Sequence, residues 1–152
     1  MAICAFLGNA TVWNEQAVEE KLRQVLVDLI EKQGVTTFLV GTHGAFEVLS
    51  HHVVSDLAPT YPQIEIMLVL AYAEDLHRCR YAFDGIQYPP AAETSYKRWC
   101  IAKRNDWIVR QTDYIITLNY YKGRADTYCR RARKQGKSII DLVDLLPVSS
   151  DT

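Results

Sequence analysis

Apolar positions along the chain follow two alternating rhythms. Short β-rich runs occur at Ala2 to Leu7, Val35 to Val40, Ile64 to Leu70, Tyr114 to Leu118 and Ser138 to Ile140, each continuous enough to be a strand covered on both faces. Between the first two, Val18, Leu22, Val25, Leu26, Leu29 and Ile30 recur every three or four residues, while Glu19, Glu20, Lys21, Arg23 and Gln24 fill the opposite face. That is an amphipathic helix, with Asn14 as its cap and Gly34 at its end. A second helix is predicted from Ala45 to Leu57 and stopped by Pro59 and Pro62, and a last one from about Ala125 to Gln135. Strands alternating with helices predict an α/β fold on a mainly parallel sheet of about five strands. The stretch from Tyr72 to Ser95 has no clean period and contains Pro89-Pro90, so it reads as a long functional loop or lid after the third strand.

Composition narrows the picture without naming a task. At 152 residues and 49% hydrophobic content the chain is the size of one domain with a full core. A formal net charge of −1 gives no overall drive toward nucleic acid or anionic membrane. Cys4, Cys79, Cys100 and Cys129 are widely spaced, with no CxxC and no histidine at ligand-like spacing, so reduced thiols are expected rather than a disulfide framework or a metal site. Met1 to Leu7 is too short for a signal-peptide core and no segment approaches a membrane span, so a cytoplasmic protein is expected. No motif of a resident cofactor is present.

In open parallel sheets, ligands bind outside the carboxyl ends of the strands where strand order reverses. The predicted first strand leads into Gly8-Asn9, the second into Gly41-Thr42-His43-Gly44, the third into Ala71-Tyr72, and the fourth into Asn119-Tyr120-Tyr121-Lys122-Gly123-Arg124. Gly41 and Gly44 either expose backbone N–H groups to an anion at a helix N-terminus or serve only a tight turn. His43 is a candidate acid, base or phosphate donor, or a solvated loop residue. Glu47, one turn into its helix, either answers the helix dipole or contacts a ribose hydroxyl or a water, where it is the candidate catalytic carboxylate. Arg104-Asn105, read as preceding a helical stretch from Asp106 to Arg110, and Asp113 divide between structural pairing and a pocket role. Lys122, Gly123 and Arg124 open the last helix and could grip a phosphate. Tyr72, Tyr81, Phe83 and Tyr88 could stack on a base or pack the lid down. The cations from Arg130 to Lys134 read as a solvated face.

The succession GTHGAFE, FDGIQYPP, KRWCIAKRNDWIVRQTDYIITLN, KGRADT and GKSIIDL resembles the SLOG superfamily over nearly the whole chain, in particular its small bacterial YpsA-like branch. The resemblance implies a Rossmann-like three-layer sandwich related to the cytokinin-activating phosphoribohydrolases and to the DNA-processing protein of natural transformation. It also implies a homo-oligomer such as a dimer. By position, Gly41, Thr42, Gly44 and Glu47 match the ligand-facing loop, Arg104 and Asn105 an Arg-Asn pair, and Gly123 the first glycine of a later turn. The chain departs from the family where Gly8-Asn9-Ala10 stands for Gly-His-Arg, and where Arg124 replaces the second glycine of the later turn. The phosphoribohydrolase signature after the fourth strand is absent.

Three readings follow. The first is a binder or sensor of a nucleotide-derived small molecule. The second is a hydrolase of the N-glycosidic bond of a nucleoside monophosphate, with Glu47 assisting water. The third is a module for single-stranded nucleic acid or protein, against which the overall charge counts.

Overall fold

The computed structural model describes residues 2–121 and 123–147. Lys122, assigned above to the phosphate-gripping turn, lies outside them. The strands are β1 (Ala2–Gly8), β2 (Val35–Val40), β3 (Glu65–Val69), β4 (Gly85–Gln87), β5 (Tyr114–Leu118) and β6 (Ser138–Asp141). The helices are α1 (Glu15–Lys32), α2 (Ala45–Leu57), α3 (Asp75–Arg78), α4 (Pro90–Glu93), α5 (Cys100–Gln111) and α6 (Arg124–Lys134).

All strands join one sheet in the order β4-β3-β2-β1-β5-β6, and every neighbouring pair is parallel. Right-handed crossovers dictate the layers. From β1 the chain steps outward through α1, α2 and α3 to the edge strand β4, then returns to the other side of β1, so α5 and α6 cover the opposite face. Alternation within the strands records both layers. Cys4 and Phe6 of β1, Phe38 and Val40 of β2 and Ile116 and Leu118 of β5 pack with Val18, Leu22 and Leu26 of α1 and Phe46 and Val53 of α2. Leu7 and Ile115 face Val109, Cys129 and Ala132, while Ala5, Leu39 and Val69 face Ile108. A Rossmann-like three-layer sandwich results.

The sheet has six strands rather than five. The extra one, β4, lies within the stretch read as a lid: Asp84 accepts a hydrogen bond from the Ile66 amide at 2.8 Å and its own amide donates to Ile66 O at 2.7 Å, which pins the segment to the sheet edge. With α3 and α4, nearly half of that stretch is regular structure. Helix α5 begins at Cys100, so Arg104 and Asn105 lie inside it and not before it. Asn14 occupies the cap position of α1 with φ 52° and makes no side-chain cap bond. Gly34 follows that helix at φ 68°, a left-handed conformation suited to glycine. All four cysteines are free thiols, three of them buried. Among the described residues no helix is long and apolar enough to cross a membrane, and no group of three His, Cys, Asp or Glu side chains is placed to hold a metal ion.

Candidate functional site

Strand order turns around β1, and the loops after β1 and β5 diverge there. The resulting cleft has a volume of about 450 Å³, within the usual range of small-molecule sites. Gly8, Asn9, His43, Gly44, Glu47, Arg104, Asn105 and Arg124 all line it, together with Ile101, Tyr121 and Tyr128. Gly41, Thr42 and Gly123 do not. Thr42 borders a neighbouring cavity of about 500 Å³ beside Arg78 and Arg80.

One wall is a buried ion pair. Arg104 Nη1 donates to Glu47 Oε1 at 2.8 Å and Nη2 to Oε2 at 2.9 Å, while Nε and Nη2 also donate to Asn105 Oδ1 at 3.0 and 2.6 Å. Arg104 is 1% exposed. Burial works against its charge, but the carboxylate more than offsets this, and the guanidinium is held above its ordinary range. Gly41 explains how the pair fits: a Cβ at that position would overlap Glu47 Oε1 and stand 2.7 Å from Arg104 Nη1.

A second acid–base pair sits beside the first. His43 Nε2 lies 2.8 Å from Asp75 Oδ2, and the same oxygen accepts from the amides of Ala71 at 2.9 Å and Tyr72 at 3.0 Å. Burial would raise the Asp75 pKa, yet the hydrogen bonds from His43 and the two amides prevail and hold it below the ordinary carboxylate value. Sequence reasoning missed Asp75. Its signal is short-range: an acid shortly after a strand can turn back onto the amides three and four residues before it, which the strand leaves free.

Two helices start at the cleft. At α2, Ala45 donates to Ala10 O at 2.8 Å, whereas the amides of Phe46 and Glu47 make no hydrogen bond among the described residues. Close approach of α2 to β1 depends on two glycines. A Cβ on Gly8 would overlap the Phe46 ring, and Gly44 adopts φ 96° against Ala10. At α6, Gly123 is the cap residue and accepts from Thr127 at 3.2 Å, leaving the amides of Arg124 and Ala125 without partners among the described residues. The Arg124 side chain is exposed and forms no ion pair among them. Between the two helix starts lies Asn9, 7% exposed, whose Nδ2 has no hydrogen-bond partner among the described residues.

The loops on either side of the cleft are clasped together. Trp13 and Tyr120 stack with centroids 4.4 Å apart, the Trp13 amide donates to Tyr120 Oη at 3.0 Å, and that hydroxyl donates to Trp13 O at 3.2 Å. The aromatic residues of the former lid are engaged elsewhere. Tyr72 Oη donates to Lys97 O, Tyr81 packs on His51 and His52, and Phe83 and Tyr88 pack against the core. Asp113 pairs with the backbone of Ile3 at the opposite end of the sheet. Of the basic run, Arg130 is bound to Asp126 and Arg131 to Asp106.

No family model and no curated protein matches the chain. Among solved structures, the X-ray structure of DNA processing protein A (DprA) from Streptococcus pneumoniae is similar, with a TM-score of 0.61 and 13% sequence identity over 91% of this chain and 49% of that one. The chain thus spans about half the length of that protein. At this identity the likeness is one of fold, and with the six-stranded parallel sheet it shows a Rossmann-like α/β architecture whose cleft opens at the turning point of strand order.

Proposed function

We propose that the cleft between β1 and β5 binds a nucleotide-derived small molecule, and that the protein acts as a binder or sensor of it. The observation that carries this reading is Asn9: a buried amide group without a partner among the described residues, set between two helix starts that both present backbone amides likewise unpaired among them. An unsatisfied buried polar group costs about 1–3 kcal/mol, which a ligand acceptor would recover. Unpaired amides at the positive ends of two helix dipoles favour phosphate, and Arg124 adds a fork-shaped cation. Ile101, Tyr121 and Tyr128 supply apolar surface for the ribose or base.

The hydrolase reading has less support. Both oxygens of Glu47 are held by Arg104, so the carboxylate would have to break a buried ion pair to assist a water. A nucleic-acid module has less still, since Arg130 and Arg131 are committed to carboxylates and the net charge is −1.

Thermal shift with AMP, ADP and ADP-ribose tests the reading. At least one should raise the unfolding midpoint in a concentration-dependent way, with Arg124→Ala abolishing most of the rise. A flat midpoint with all three up to millimolar concentration refutes it.

A further inference from the structure

The cleft has two corners at helix starts, and one of them carries an imidazole paired with a buried carboxylate. His43 is fixed by Asp75, which is 1% exposed and itself anchored by two backbone amides. An ionised Asp75 makes Nε2 the hydrogen-bearing nitrogen, which leaves Nδ1. Nδ1 has no partner among the described residues and is not one of the buried unpaired atoms, and the side chain borders the cleft. Protonated, the His43–Asp75 pair is neutral overall and offers an N–H. Deprotonated, it carries net negative charge and offers a lone pair, which repels an anion.

The other charged groups around His43 do not duplicate this switch. Glu47 Oε1 accepts from the His43 amide at 3.4 Å, but its charge is matched by Arg104. Arg78 Nη1 stands 3.9 Å from Asp75 Oδ1 and points its charge at the acid. Tyr72 meets the imidazole ring edge-on at 5.5 Å and, desolvated, stays neutral, its hydroxyl pKa being raised. Arg124 belongs to the second corner, at the start of α6.

We propose that the cleft takes a nucleoside diphosphate group, with one phosphate on protonated His43 Nδ1 and the α2 amides, the other on Arg124 and the α6 amides, and Asn9 Nδ2 between them. A monophosphate can occupy one corner only. The proposal rests on the nucleotide-binding reading above, and it adds the class of ligand and a pH dependence.

The test is calorimetric titration of AMP and ADP, in EDTA, into the wild type and His43→Gln at pH 6.0 and 8.5. One charge-assisted hydrogen bond corresponds to roughly tenfold or more in affinity. ADP should therefore bind about tenfold more tightly than AMP to the wild type at pH 6.0. That advantage should shrink severalfold at pH 8.5, and in His43→Gln it should be small at both pH values. The variant also removes the ligand's own phosphate titration from the comparison. Equal affinities in the wild type at pH 6.0, or an ADP advantage that survives His43→Gln, overturns the proposal alone. Binding of neither nucleotide overturns the parent reading and this one with it. If His43→Gln does not fold, two-bond ¹H–¹⁵N NMR of wild-type His43 decides: Nδ1 should move toward its protonated position with ADP at pH 7, and an unmoved resonance overturns the proposal.

Discussion

Glu47→Gln should cost far more stability than an ordinary surface change. The substitution keeps size and shape but removes the charge, and it turns an amide N–H₂ toward one Arg104 nitrogen that formerly donated to an oxygen at 2.8 or 2.9 Å. Arg104, 1% exposed, is left as a buried cation whose remaining partners are Asn105 Oδ1 and the single Gln oxygen, with no opposing charge. Breaking a buried pair from one side costs about 3–5 kcal/mol. Gln retains one acceptor, so about 3 kcal/mol is expected, or roughly 6–12 °C in melting temperature for a chain of this size. Urea unfolding of Glu47→Leu, Arg104→Met and the double variant measures the coupling itself. Each single change strands one charge and the double strands none, so the double variant should be at least about 2 kcal/mol more stable than the sum of singles predicts. Additivity within about 0.5 kcal/mol would refute the reasoning. The result also bears on any assay of base release, because lost activity in a Glu47 variant must be separated from lost fold.

Other outcomes follow from the same geometry. Gly8→Ala drives a methyl into the Phe46 ring and should destabilise by about 1–3 kcal/mol in denaturant titration; a change below about 0.5 kcal/mol would mean that α2 shifts freely. Asp75 has a folded-state pKa below its unfolded value, so its contribution is complete above about pH 3.9 and is lost as pH falls through the lower folded value. The acid limb of stability against pH should accordingly be shallower in Asp75→Asn, and an unchanged limb would refute the assignment. Burial lowers the pKa of His51 against the opposing hydrogen bond to Ala82 O. It contributes stability above about pH 6.5 that disappears as pH falls from there. His51→Gln, which can keep the bond to Ala82 O, should thus lose less stability than the wild type between pH 7 and 5, and equal losses would exclude His51 as the cause.

The parts of the fold visible in the sequence are those set by local rhythm. Five strands and α2 announce themselves because apolar side chains there serve a single core face or two covered faces, and Pro59 fixes where α2 must stop. Strand β4 has no such rhythm. It is three residues long, with Ile86 42% exposed on the sheet edge, and its pairing depends on Asp84 reaching the Ile66 amide, a tertiary contact. The start of α5 was obscured for a related reason: Lys103-Arg104-Asn105 interrupts the apolar rhythm of the helix, whereas Arg104 is buried by a carboxylate 57 residues away. At the site, chain order was enough to bring the β1, β2 and β5 loops to one end of the sheet. The Asp75 contact to His43 spans 32 residues and leaves no periodic trace. Gly41 illustrates the limit best, since its missing side chain is required by an ion pair that no local pattern reveals.

The Glu47–Arg104 bridge has a consequence for the order in which the molecule assembles. Its two ends belong to opposite helical layers, α2 on one face of the sheet and α5 on the other, so the bridge closes only after β1 has paired with both β2 and β5. Until then both charges are hydrated and nothing is gained by holding them together. A contact that needs both layers in place is expected to form late, past the folding barrier. Its loss should therefore show mainly as faster unfolding, with the refolding rate little changed. On that expectation, the wall of the cleft would be the last thing the chain builds and the first it gives up.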